Sequence, residues 1–170
     1  MKNMLSLTKI GNLKLGIVKN GKPIQTSRIL VTRPTKEGGE NFQILDGFDS
    51  NGETKVNITL PFNDNSLNFE VNYVGFLQLN NVAYISKSKG LGEDLILYPL
   101  EVENFDLPSV NVGPLTEDLI KFYNLERTGF LKCMITGVSG FGEVFYFKTK
   151  SVHSIRAIED QLRILSSLTG

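Results

Sequence analysis

The chain has 170 residues, 41% of them hydrophobic, and its 18 lysines and arginines balance its 18 aspartates and glutamates. This length and composition are typical of one folded domain with its own core, and they exclude wholesale disorder. The balanced charge gives no support to general polyanion binding, which usually accompanies a basic excess. Because the chain has one cysteine, Cys133, and one histidine, His153, it cannot form an internal disulfide or a four-ligand zinc site.

The opening segment, LKLGIVKNGKPIQTSRILVTRP, has the pattern of a β-hairpin. Asn20-Gly21 is a favoured pair in a type I′ turn, because both residues tolerate positive φ. Pro34 and the KEGGEN stretch then predict an exposed loop that ends the hairpin.

Five further segments carry β-branched and aromatic residues between short turn clusters: FQILDGF, TKVNITLP, LNFEVNYVGFLQL, VAYISKS and LILYPLEV. No segment between residues 10 and 105 has convincing helical periodicity, so we predict that the first two-thirds of the chain is mostly antiparallel β. Short turns between them favour antiparallel pairing.

The pattern changes after Pro108. GPLTEDLIKFYNLERTG predicts a short helix with Thr116 as its N-cap and with Glu117 and Asp118 near the positive end of the helix dipole. FLKCMITGVSGFGEVFYFKTK then predicts a hairpin whose turn lies at residues 137–142.

The final segment predicts a helix that is capped by Ser151. Its apolar residues recur every three or four positions and form one stripe that faces a core or a partner; they are Val152, Ile155, Ile158, Leu162, Leu165 and Leu168. The predicted class is therefore α+β: a mostly antiparallel β-sheet or small barrel with two helices, the second C-terminal and packed on the sheet. We expect one domain over residues 1–170.

No pattern in the sequence predicts catalysis. The GLG at residues 90–92 and the GFG at 140–142 do not continue into a dinucleotide or phosphate-loop fingerprint. His153 lies in the predicted first turn of the last helix, and no carboxylate pair stands out. We therefore predict no enzyme activity, no catalytic residue, no metal ligand and no cofactor. No apolar run approaches the roughly 20 residues of a membrane span, which favours a cytoplasmic protein without membrane contact.

DNA binding through a β-sheet face, to single or double strands, is the alternative function. The basic candidates for nucleic-acid contacts are Arg28, Arg33, Lys36, Lys148 and Lys150. Aromatic residues that would stack on bases from an open face are Tyr73, Phe76, Tyr84 and Tyr146. Aromatic residues in alternating strands more often belong to a core, and the balanced charge weakens this alternative.

The segment GEVFYFKTKSVHSIRAIEDQLRILSSLTG resembles the end of the phage recombination directionality factor-like family. The opening KIGNLKLGIVKNGKPIQTSRILVTRP is similar to the start of that family, a G-x-(I/L)-x-L-G strand followed by a Gly-Lys-x-Pro turn. The matching positions are Gly11, Leu13, Leu15, Gly16, Gly21, Lys22 and Pro23. The runs at residues 41–44 and 60–62 also fit the layout of the family.

The resemblance implies a phage or prophage accessory protein in the cytoplasm of the bacterial host. Such a protein binds a large serine integrase on attachment-site DNA and switches it from integration to excision, with no covalent chemistry of its own. Some relatives carry extra cysteines that suggest a metal, and their absence here implies no zinc. Relatives commonly continue beyond the closing helix, so the chain is either a short member or the trimmed core of a longer protein.

Two surfaces are candidates for the partner. One is the strand NYVGFLQL, with Tyr73, Phe76 and Leu77 as candidate contacts. The other is the polar side of the last helix, with Arg156, Glu159 and Arg163. For each surface the alternative is an ordinary core or an ordinary solvated face, and the sequence does not define an oligomeric state.

Overall fold

The computed structural model describes residues 7–19, 22–45, 56–100 and 107–169, within which lie ten strands and three helices. The strands are β1 Thr8–Lys19, β2 Lys22–Pro34, β3 Glu40–Leu45, β4 Ile58–Thr59, β5 Phe69–Leu79, β6 Val82–Ser88, β7 Asp94–Pro99, β8 Val110–Pro114, β9 Glu126–Ile135 and β10 Glu143–Thr149. The helices are α1 Asn65–Asn68, α2 Glu117–Phe122 and α3 Val152–Thr169. The chain divides into two compact units, one of Met1–Phe69 with Phe130–Lys148 and one of Glu70–Gly129 with Thr149–Gly170.

The first unit has the strand order β3-β2-β1-β10-β9, and β4 pairs with β9. β1 is antiparallel to β2 but parallel to β10, so the pairing is mixed although mostly antiparallel. Alternate apolar residues of β2, β9 and β10 meet in one core cluster, and its buried members are Val31, Cys133, Ile135 and Phe145. The predicted antiparallel β architecture is confirmed.

The predicted first hairpin is confirmed by the register of β1 and β2. Lys19 pairs with Lys22, which leaves a loop of two residues. Asn20-Gly21, the predicted turn pair itself, lies outside the described residues.

Gly11 occupies a position in β1 where a side chain would not fit. A Cβ built on it would lie 1.8 Å from the carbonyl oxygen of Thr32 on β2 and 3.2 Å from the ring of Phe145. Gly11 precedes Asn12, which pairs with Thr32 in the antiparallel register of β1 and β2, so the backbone of β2 passes directly over the glycine. The close approach of the Thr32 carbonyl therefore explains why the opening motif has glycine at position 11.

The second unit has the strand order β9-β5-β6-β7-β8. Asn80 and Asn81, with φ of 48° and 64°, form the two-residue turn between β5 and β6, since Leu79 pairs with Val82. On one side of these strands Leu95, Leu115 and Leu125 form a buried cluster with residues of α2. Both orders end in an edge strand among the described residues, β3 and β8, so the described strands form open sheets and not the small barrel that was the alternative.

The caps of α2 and α3 agree with the prediction. The hydroxyl of Thr116 accepts a hydrogen bond from the backbone N–H of Leu119, and Ser151 accepts one from Ser154. α3 packs on the sheet as predicted, and its Ile155 and Leu162 are buried. The other predicted apolar positions of α3 are half-buried at Ile158 and exposed at Val152, Leu165 and Leu168.

Two elements were not predicted, α1 and β8. The start of the segment predicted as the strand LNFEVNYVGFLQL is helical, because the carboxylate of Asp64 accepts the N–H of Ser66 and begins a turn. The buried Asn68 then fixes this turn with hydrogen bonds to the backbone of Phe62. The prediction that this part of the chain is mostly antiparallel β is confirmed, and α1 is one helical turn within it that the periodicity did not indicate. Within the described residues 56–61 of the segment TKVNITLP, the strand is Ile58–Thr59.

Candidate partner-binding surface

β5 has one covered face and one face with an exposed aromatic residue. On the covered side, Tyr73 packs against the cluster that includes Leu125. A Cβ on Gly75 would lie 2.8 Å both from Leu125 Cδ2 and from the carbonyl oxygen of Tyr123. The turn after α2 thus lies directly on the backbone of β5, and this part of the face is closed to a partner.

The opposite face carries three apolar side chains in a line across β5, β6 and β7. Phe76 pairs with Ile85, and Ile85 pairs with Tyr98, so the three lie side by side on the same face. Phe76 is 66% exposed and Tyr98 is 41% exposed, while Ile85 is partly buried between them. We name these three residues the Phe76 row.

The neighbours of the Phe76 row set its chemistry. On one side, Leu100 is exposed and donates its backbone N–H to the carbonyl of Ala83. On the other side lie Val74, Lys87 and Ile96, which are in register with one another on the same face as the row. Val74 is buried and Lys87 is partly buried. The row itself is therefore apolar, with the exposed amide of Gln78 beside Phe76 and with one cation, Lys87, at its border; the carboxylates of Glu70 and Asp94 lie farther along β5 and β7 on the same face.

Of the three candidates on the strand NYVGFLQL, only Phe76 lies in this row. Tyr73 is half-buried in the covered cluster, and Leu77, which pairs with Tyr84, points to the same side as Tyr73. Ile85 and Tyr98 were not predicted as site residues. The Asn80-Asn81 turn was the one local signal that could have found Ile85, because a two-residue hairpin fixes the register of β5 on β6.

The three candidates on α3 do share one side of that helix. All three are exposed, and Glu159 and Arg163 follow Arg156 by three and seven residues, a helical spacing that places them on one side. Glu159 lies 3.8 Å from Arg127 of β9, and Arg163 pairs with Asp160 one turn earlier. Such exposed pairs contribute about 0–1 kcal/mol, so they leave these side chains available to a partner.

The structure does not bring the five basic candidates together on one face. Arg33 lies over the ring of Phe145, 5.4 Å from its centroid, whereas Lys148 points to the other face because it alternates with Phe147. Lys36 is exposed in the turn between β2 and β3. Lys150 belongs to the second unit, where it pairs with Glu126, and Arg28 lies in β2 with its side chain outside the described part.

The described residues contain no group of three or more metal-ligating side chains. Burial raises the pKa of the Cys133 thiol to about 11, so at neutral pH it is a protonated core residue whose S–H donates to the carbonyl of Phe145. His153 is exposed in the first turn of α3. No helix in the described part of the chain is long and apolar enough to span a membrane.

The family comparison covers nearly the whole chain. Residues 10–170 match the family described as Gp3-like, recombination directionality factor-like. Neither a curated protein nor a solved structure matches the chain. Since the matched region includes both the strand that opens the fold and the closing helix α3, the chain belongs to the recombination directionality factor-like family.

Proposed function

We propose that this chain is a phage or prophage recombination directionality factor that binds a large serine integrase and switches it from integration to excision. The family match over residues 10–170 is the observation that carries the proposal. In this role the chain acts on integrase bound to attachment-site DNA, in the cytoplasm of the bacterial host, as one α+β domain. It contributes binding energy and no covalent chemistry.

The surface chemistry supports a protein partner over DNA as the direct contact. The exposed Phe76 row is apolar, and the basic candidates in the described part are divided between faces and units. A directionality factor needs only different affinities for two arrangements of its partner. A difference of about 1–3 kcal/mol changes their ratio by roughly 5- to 150-fold.

A gel-shift titration with the serine integrase encoded nearest the gene tests this function. The chain should further retard the integrase–DNA complex and should not shift attachment-site DNA alone. In a recombination assay with the same components, it should increase excision and reduce integration. An integrase that is active but whose two reactions do not respond to the chain would refute the proposal.

The DNA-binding alternative makes the opposite prediction in the same experiment. A shift of DNA without integrase, with affinity that falls steeply as salt rises, would indicate direct phosphate contacts. That result would replace the proposed function with sheet-face DNA binding.

A further inference from the structure

We propose that the Phe76 row and Lys87 form one docking surface, and that its occupant is a protein segment whose apolar side chains are followed by a carboxylate. The identity of the partner as the integrase rests on the proposed function. The surface and the chemistry of its occupant are inferred from the described residues of the second unit.

The occupant contacts side chains and not backbone. At the row, β6 is paired on both sides, with β5 through Phe76 and Ile85 and with β7 through Ile85 and Tyr98, so its backbone groups are used within the sheet. A partner strand can add only at an edge, where such groups are free. The side chains of the Phe76 row project from strands that lie inside the order β9-β5-β6-β7-β8. The occupant therefore lies on the face of the sheet and contacts these side chains.

The contact is centred on an aromatic anchor. Phe76 is 66% exposed although it lies in the middle strands of the unit, beside the exposed Tyr98. Phenylalanine and tyrosine are enriched in the buried centres of protein interfaces, and a few such residues usually supply most of the binding energy. Since the row lies on a paired, three-stranded platform, little ordering is needed on binding.

Lys87 supplies the charge that selects the occupant. It lies two residues from Ile85 on the same face, which is about 7 Å along the strand. Its neighbours in register are Val74 and Ile96, and among the described residues its ammonium has no ion-pair partner. A carboxylate delivered there forms a partly desolvated, charge-assisted hydrogen bond.

The same arrangement argues against a nucleic acid on this face. Binding of a phosphate backbone draws on several cations, because each phosphate contact releases counterions. Lys87 is the single cation among the residues in register with the row on the described strands β5 to β7. A single cation beside three apolar residues matches a protein segment that carries one carboxylate.

Substitutions at two positions test the surface, with integrase binding measured by biolayer interferometry. Phe76→Ser should weaken binding at least about 30-fold, and Lys87→Glu about 10-fold, whereas Lys87→Arg keeps the affinity within a factor of about three. Phe122→Ser is the matched control, because Phe122 is also exposed but lies on α2, away from the row. Circular dichroism should show all four variants folded, since the three positions lie outside the buried cores.

Photo-crosslinking identifies the occupant. With p-benzoylphenylalanine at position 76 and the integrase present, the crosslink should map to an apolar integrase segment that contains an aspartate or glutamate. A crosslink to a second copy of this chain, or to attachment-site DNA, would overturn the inference.

The two proposals fail in different ways. If the wild-type chain binds the integrase and Phe76→Ser binds equally well, the docking surface is wrong while the proposed function stands. If the wild-type chain does not bind an integrase that is active in recombination, the proposed function and the inference that rests on it are both refuted.

Discussion

Replacement of Gly11 by alanine should destabilise the first unit strongly. The new Cβ would lie 1.8 Å from the carbonyl oxygen of Thr32, and real Cβ contacts are essentially never under 3.0 Å, so β1 and β2 must separate by at least about 1.2 Å. We expect loss of about two backbone hydrogen bonds, at roughly 1 kcal/mol each, and crowding of about 1–3 kcal/mol. The free energy of unfolding should therefore fall by about 3–5 kcal/mol.

For a chain of this length, that loss lowers the Tm by about 6–20 °C, measured by circular dichroism. Gly90→Ala is the control, because a Cβ at Gly90 meets no atom within 4 Å and the Tm should change by no more than about 2 °C. Hydrogen exchange should show the lost protection in β1 and β2. A Gly11→Ala variant that melts within about 2 °C of the wild type would refute the close approach of the two strands.

Three buried or capping side chains give further predictions. Asn68→Ala removes three hydrogen bonds of a fully buried amide. Urea denaturation should show a free energy of unfolding that is lower by about 2–3 kcal/mol. Asn63→Ala, at an exposed position, is the control and should change this free energy by less than about 0.5 kcal/mol. Cys133 should resist iodoacetamide at pH 8 in the native state and react in guanidinium, because burial raises its pKa to about 11; rapid native labelling would contradict its burial. Hydrogen bonds from the hydroxyl and then the N–H of Ser66 lower the pKa of Asp64 below its usual 3.8. The stabilisation lost in Asp64→Ala should therefore be present above pH 3.8 and should decrease as the pH falls through the lower folded-state pKa. A difference in stability between the two proteins that does not decrease with falling pH would contradict the cap.

Local features of this fold could be predicted from the sequence. The caps at Thr116 and Ser151 depend on a side chain and a backbone N–H three residues away, so the nearby residues are sufficient to define them. The hairpin of β1 and β2 is similar, because its turn pair lies between two alternating strands. These are contacts within short stretches of chain, for which the side-chain pattern is enough.

The position of the Phe76 row could be predicted only in part. Phe76 was a candidate from its strand alone, but Tyr98 becomes its neighbour through the pairing of β6 with β7, and that register depends on the packing of the whole unit. Which face of β5 is covered depends on Gly75, where the turn after α2 comes within 2.8 Å of a built Cβ. The contact at Gly75 joins residues about 50 positions apart and leaves no local pattern.

The basic candidates show the same limit. Arg33 and Lys148 were grouped by charge, yet the alternation of side chains along β10 places them on opposite faces of the first unit. The helix α1 was missed for a different reason. It has four residues, too short for a hydrophobic period, and it forms because Asp64 caps it and Asn68 is buried.

The most direct test of the central claim is one gel-shift series on attachment-site DNA. It compares DNA alone, DNA with integrase, and both with the wild-type chain, Phe76→Ser or Phe122→Ser. The account predicts a supershift that requires integrase, that remains with Phe122→Ser and that is lost with Phe76→Ser. A shift of DNA without integrase, or no supershift with the wild-type chain and an active integrase, would contradict it.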